Sequence, residues 1–73
     1  MVNVNKLKGK IVEKELSIEK VARQMGLHPA TLYRRINQDK GTTFTIGEAL
    51  AIVEILDLTP QEATAIFFSQ HVA

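Results

Sequence analysis

Apolar side chains recur along this chain at intervals of three and four residues, and the interruptions carry helix-start signals rather than the alternation of a half-buried strand. The pattern therefore predicts helix nearly throughout. A first helix is expected over residues 4–14, with Asn3 as its cap and Val4, Leu7 and Ile11 facing inward. Gly9 falls inside it, which costs about 1 kcal/mol; it is either tolerated slack or a point where another helix packs closely, with close packing the favoured reading. A second helix begins after Ser17 and buries Ile18, Val21, Ala22 and Met25 at i, i+3, i+4 and i+7. Gly26 can close it in the left-handed conformation, Leu27 then plugs the corner, and His28 followed by Pro29 starts a third helix over residues 29–37. Leu32 and Ile36 form that helix's inner face, and the small Ala22 lets the second and third helices cross closely.

Beyond a loop at residues 37–43 containing Gly41, two more helices open in the same way, each with a threonine followed three residues later by a glutamate. Both are capping boxes. Thr45 with Glu48 starts a helix expected to bury Ile46, Ala49, Leu50, Val53 and Leu56. Thr59 with Glu62, and Pro60 in the first turn, starts one expected to bury Ala63, Ile66 and Phe67. The fold class that follows is all-α, a compact bundle of about five helices containing a helix-turn-helix.

At 73 residues, 45% of them hydrophobic and 23% charged, the chain is expected to form one domain over residues 1–73, near the lower size limit for a single apolar core. There is no cysteine, and His28 and His71 are isolated, so neither a disulfide framework nor a metal site is expected, and no cofactor. No nucleophile, base and orienting group fall at a recognisable spacing, so neither an enzyme nor a small-molecule substrate is expected. The chain has no signal-peptide core and no run of roughly 20 apolar residues, which predicts a cytoplasmic protein with no membrane partner.

The net charge of +1 conceals a division. All nine Lys and Arg residues lie at or before Lys40; with Glu13, Glu15, Glu19 and Asp39 they give that segment a net +5. The remainder has Glu48, Glu54, Asp57 and Glu62 and no cation, a net −4. Such asymmetry suggests a basic face for phosphates and an acidic region held away from them or offered to a protein.

The segment Ile18-Glu-Lys-Val-Ala22-Arg-Gln-Met-Gly26-Leu27-His-Pro-Ala-Thr-Leu32-Tyr-Arg-Arg-Ile36 resembles the Cro and repressor (XRE-like) family of helix-turn-helix regulators, common among phages. It carries the family's small residue at Ala22, its turn glycine at Gly26 and apolar plugs at Val21, Met25, Leu27 and Leu32. The departure is Arg35, where many relatives place an apolar residue; Ile36 takes that role one position later. The second half, with Thr45-Ile-Gly-Glu-Ala and Leu58-Thr-Pro-Gln-Glu-Ala-Thr-Ala-Ile-Phe-Phe, is similar to short phage and prophage regulators of Gram-positive bacteria. The resemblance implies a lambda-repressor-like fold, a double-stranded DNA operator as partner, and a Cro-like role in a lysis/lysogeny switch. An interaction protein of antirepressor type, which binds and inactivates a phage repressor, is the alternative.

Helix geometry nominates the DNA-facing residues. With 100° between successive side chains and Leu32 at zero, Ile36 falls at about 40°, Tyr33 at about 100°, Asn37 at about 140°, Ala30 at about 160° and Arg34 at about 200°. Arg34 can donate two hydrogen bonds to guanine, and Ala30 is small enough to approach a base edge or a thymine methyl. Tyr33 sits at the boundary, with its ring available to pack inward and its hydroxyl to reach a phosphate. His28 either contacts a base or phosphate or simply caps the helix. Pro29 removes a donor there, which shifts specificity toward Arg34, Tyr33 and Thr31. Lys20, Arg23, Arg35 and Asn37 are phosphate candidates, while Lys6, Lys8, Lys10, Lys14 and Lys40 read as solubilising charge. Ile52, Ile55 and Phe68 exceed what two short inner faces require, so with Glu54, Asp57 and Glu62 as rim they are expected to form a partner interface, either of a homodimer or with a phage repressor.

Overall fold

A computed structural model describes residues 2–37 and 44–68. These form five α-helices: α1 (Val4–Glu13), α2 (Ile18–Met25), α3 (Pro29–Ile36), α4 (Ile46–Leu56) and α5 (Pro60–Phe67), with no strand among the described residues. The all-α expectation holds. The loop beyond Asn37, with Lys40 and Gly41, lies outside the described residues, as does His71.

Every helix starts on the residue its sequence nominates. The side chains of Asn3 and Ser17 accept the backbone N–H groups of Lys6 and Lys20 at 3.1 and 3.2 Å. Both capping boxes are complete: Glu48 N–H donates to Thr45 Oγ1 while Thr45 N–H donates to Glu48 Oε1, and Glu62 and Thr59 repeat the exchange. Each box satisfies two backbone donors that a helix start otherwise leaves open.

Three of the four connections are built alike. Gly26 adopts φ +77°, and Leu27 N–H reaches back to Ala22 O at 2.9 Å, the six-residue closure of a Schellman motif. Glu15 at φ 58° and Asp57 at φ 51° do the same, with Leu16 N–H on Ile11 O and Leu58 N–H on Val53 O, each at 3.0 Å. In all three, a left-handed residue is followed by a leucine packed in or against the core, then by the next helix's N-cap.

The core gathers Leu7 and Ile11, Val21 and Ala22, Leu32 and Ile36, Ile52 and Leu56, then Leu58 and Ile66. Ala22 is fully buried where α2 packs on α3, as its small size suggested. Asn3 N–H donates to Ile66 O at 2.6 Å, which fixes the start of α1 on α5. Phe44 meets Phe67 edge to face at 6.1 Å and so seats the entry to α4 on the end of α5.

Two expectations are corrected. Gly9 is exposed, and a Cβ there would meet nothing within 4 Å, so no helix packs on it. In α4 the buried residues are Ile52 and Leu56, whereas Ile46 is 81% and Leu50 61% exposed. The inner face is rotated roughly 70° from the expected one at 100° per residue. Ile52 therefore leaves the partner interface and joins the core, and Ile55 is half-buried against it. The cause is a helix apolar on nearly all sides, whose composition does not select a phase.

The remaining tie between first and last helices is ionic. Lys10 Nζ pairs with Glu62 Oε2 and with Glu13 Oε2, the latter at 3.1 Å. The Lys10 ammonium, and next the Thr59 N–H, hold the Glu62 carboxyl down at about 2. The hydrogen bond to Glu62 raises Lys10 above its usual value.

Two outcomes follow from these contacts. Gly9→Ala should raise stability by up to about 1 kcal/mol, a rise in Tm of several degrees by thermal melting, while Gly26→Val should lower it, because a β-branched residue is strained at positive φ. The Glu62 contribution is present above its unfolded pKa of 4.5 and is lost as pH falls toward 2. Glu62→Gln, whose amide oxygen keeps the capping box, should flatten the dependence of Tm on pH in that window.

Candidate nucleic-acid interface

The short corner at Gly26, Leu27 and His28 joins α3 directly to α2. With Leu32 and Ile36 fully buried, the opposite side of α3 must face outward. Ala30, Tyr33 and Arg34 are all exposed there, Tyr33 at 59%. They share a cleft with Ile18 and Glu19 at the start of α2 and with Pro29. This brings together the sequence-nominated residues Ala30, Tyr33 and Arg34, while Thr31 is half-buried. The ring of Tyr33 is not packed inward; it forms a wall shared by this cleft and by a second groove against Val12 and Leu16.

His28 caps α3: its Nδ1 accepts the Ala30 N–H at 3.1 Å. Only Nε2 is left to reach another group. Lys20 and Arg23 stand exposed on α2, with Arg23 3.7 Å from Glu19 one turn earlier, a loose surface pair of little energetic weight. Asn37 is exposed, but its amide is engaged: Oδ1 accepts from Lys8 Nζ at 2.8 Å, and Nδ2 donates to Tyr33 O at 3.0 Å. Lys8, read as solubilising charge, instead ties α1 to the end of α3.

Arg35, a phosphate candidate, is engaged within the fold. Its side chain is half-buried, and Nη1 donates to both Glu48 oxygens, at 2.5 and 2.6 Å. Glu48 lies below the usual carboxylate range, first because Thr45 N–H donates to it and then because Arg35 does. The charge that departs from the apolar habit at this position thus bridges the end of α3 to the capping box of α4. Adjacent arginines, 100° apart, thus have different surroundings, Arg35 bonded to Glu48 and Arg34 exposed.

On the acidic side, Glu54 and Asp57 are exposed and Phe68 is 62% exposed, but Glu62 is half-buried and held by Lys10. The large exposed apolar side chains of α4 are Ile46 and Leu50, which sequence reasoning placed inside. No cluster of three His, Cys, Asp or Glu residues able to hold a metal occurs among the described residues. No helix there is long and apolar enough to cross a membrane.

Two helices joined by a tight glycine corner, the second fixed at its inner face and open at its outer one, define a helix-turn-helix DNA-binding domain. Residues 6–66 match the family model described as a Cro/C1-type HTH DNA-binding domain, and the chain belongs to that family. No match was found among curated proteins or among solved structures.

The Arg35–Glu48 link can be tested apart from the cap. Glu48→Gln keeps an acceptor for Thr45 N–H but removes the charge facing Arg35. Arg35→Gln and Glu48→Gln should each lower stability by about 1 kcal/mol. The double variant should be no worse than either single one, as coupled partners require. Neither should change the salt dependence of DNA affinity. A slope flattened by about one phosphate contact in Arg35→Gln alone would return that residue to the phosphate set.

Proposed function

We propose that this protein is a sequence-specific transcription regulator that places α3 in the major groove of an operator, as a Cro-like repressor in a phage lysis/lysogeny switch. The observation that carries the reading is the outer face of α3, where Arg34 stands exposed beside Ala30 and Tyr33 while Leu32 and Ile36 anchor the opposite side. Arg34 reads a guanine through paired hydrogen bonds, and Lys20 and Arg23 at the flank meet phosphates. A homodimer on a two-fold site, with half-sites about one helical turn apart, is the arrangement such a small module uses to gain affinity and register.

A second reading is favoured by the exposed apolar residues Ile46, Leu50 and Phe68 on the acidic half. Such a surface suits a protein partner as well as a second copy. In an antirepressor, that partner is a phage repressor and the chain's own DNA binding is dispensable.

The test is a gel shift of the purified chain on duplexes selected from a random pool. Arg34→Ala should cost about 1 to 3 kcal/mol on the best site and spare non-specific binding. Lys20→Ala should weaken all sequences alike and reduce the salt slope by about 1. A chain that shifts no duplex at any salt would leave the antirepressor reading standing.

A further inference from the structure

We propose that the cleft between the start of α2 and the outer face of α3 is a thymine-methyl subsite. It takes the C5-methyl group of a thymine one or two base pairs from the guanine read by Arg34. The inference rests on the reading of α3 as the groove-facing helix, and names what the rest of that face recognises.

The chemistry of the walls carries it. Ile18, Pro29, Ala30 and Tyr33 line the cleft together with Glu19 and Arg34, around a volume of about 620 Å³. Side-chain hydrogen bonding is nearly absent from this end of α3. Pro29 has no backbone donor and Ala30 no polar group. His28 uses Nδ1 to cap the helix, and Thr31 is half-buried. The Ser17 hydroxyl, also at the cleft, caps α2 by accepting Lys20 N–H. The walls of the cleft are therefore mainly apolar, with the Tyr33 hydroxyl and His28 Nε2 as polar groups beside them, and the thymine methyl is the one apolar group that the four bases present in the major groove.

Position agrees with chemistry. Ala30 and Arg34 are one turn apart on the same face, a rise of about 6 Å, and successive bases on one strand are about 3.4 Å apart. A guanine under Arg34 therefore sets a neighbouring base edge over Ala30. Tyr33, 59% exposed in the free protein, supplies the ring that such an edge would cover.

The experiment starts from duplexes selected by the protein from a random pool, with each thymine then replaced singly by deoxyuridine, which removes only the methyl. At one or two positions beside the guanine that Arg34→Ala no longer distinguishes, deoxyuridine should weaken binding about three- to fivefold, the scale of one buried methyl. Elsewhere it should have no effect. Tyr33→Ala, whose exposed side chain is not needed for the core, should bind the thymine and uracil duplexes alike at those positions. The proposal is overturned if deoxyuridine is tolerated next to that guanine, if cytosine is selected there instead, or if Tyr33→Ala keeps the full uracil penalty. A selection that recovers no DNA fails earlier, on the reading of α3 itself.

Discussion

A helix of eight residues is too short to persist alone, because nucleation fixes several backbone angles before the first hydrogen bonds repay them. Three of the five helices here have that length. Each end leaves four backbone groups without a helical partner, so in so small a fold the ends decide whether helices form at all. The repeated connector answers this constraint. A left-handed residue closes one ladder, a leucine is set in or against the core, and a cap opens the next ladder immediately. The helices at these three connections are then joined by no more than four residues. The outward presentation of α3 follows from its short join together with the burial of Leu32 and Ile36.

The second device is economy in the capping glutamates. Glu48 and Glu62 each satisfy a backbone N–H at their own helix start, and each also receives a cation from a distant helix, Arg35 from α3 and Lys10 from α1. A carboxylate fixed by its cap loses little further freedom on pairing, which removes part of the entropic cost that makes surface ion pairs weak. The pairs thus join the two halves of the chain. They also explain why adjacent arginines can diverge, with Arg35 turned to Glu48 and Arg34 left to water.

Much of this was legible in the sequence because capping chemistry is local. Asn3, Ser17, Thr45 and Thr59 announce their helices within four residues, and Gly26 announces its turn because glycine tolerates positive φ. Glu15 and Asp57 adopt the same conformation without that signature. Only the alignment of Glu15-Leu-Ser-Ile and Asp57-Leu-Thr-Pro with Gly26-Leu-His-Pro could have exposed them. The phase of α4 was not legible for a different reason: where apolar residues surround a helix, tertiary contacts choose the buried side. The outward side of α3 was legible, since Leu32 and Ile36 fix one side and thereby the other. The partners of Arg35 and Asn37 were not, because they lie 13 and 29 residues away.

The same placement changes the meaning of the charge division. An acidic second half facing a basic first half invites the idea of a surface offered to a basic partner. Yet Glu48 and Glu62 are held in caps and ion pairs, and Asp57 occupies the left-handed position of a connector. Two of the four carboxylates there thus have architectural work, the Asp57 backbone forms a connector, and Glu54 alone is exposed without a place in a cap, pair or turn among the described residues. Acidity in this half is the residue of helix-start chemistry more than a signal to a partner. What is left for an interface is apolar, Ile46 and Leu50 one turn apart on α4 and Phe68 at the end of α5. Apolar contact without charge selection suits a second copy of this chain as readily as another protein, and gives no reason for a basic partner.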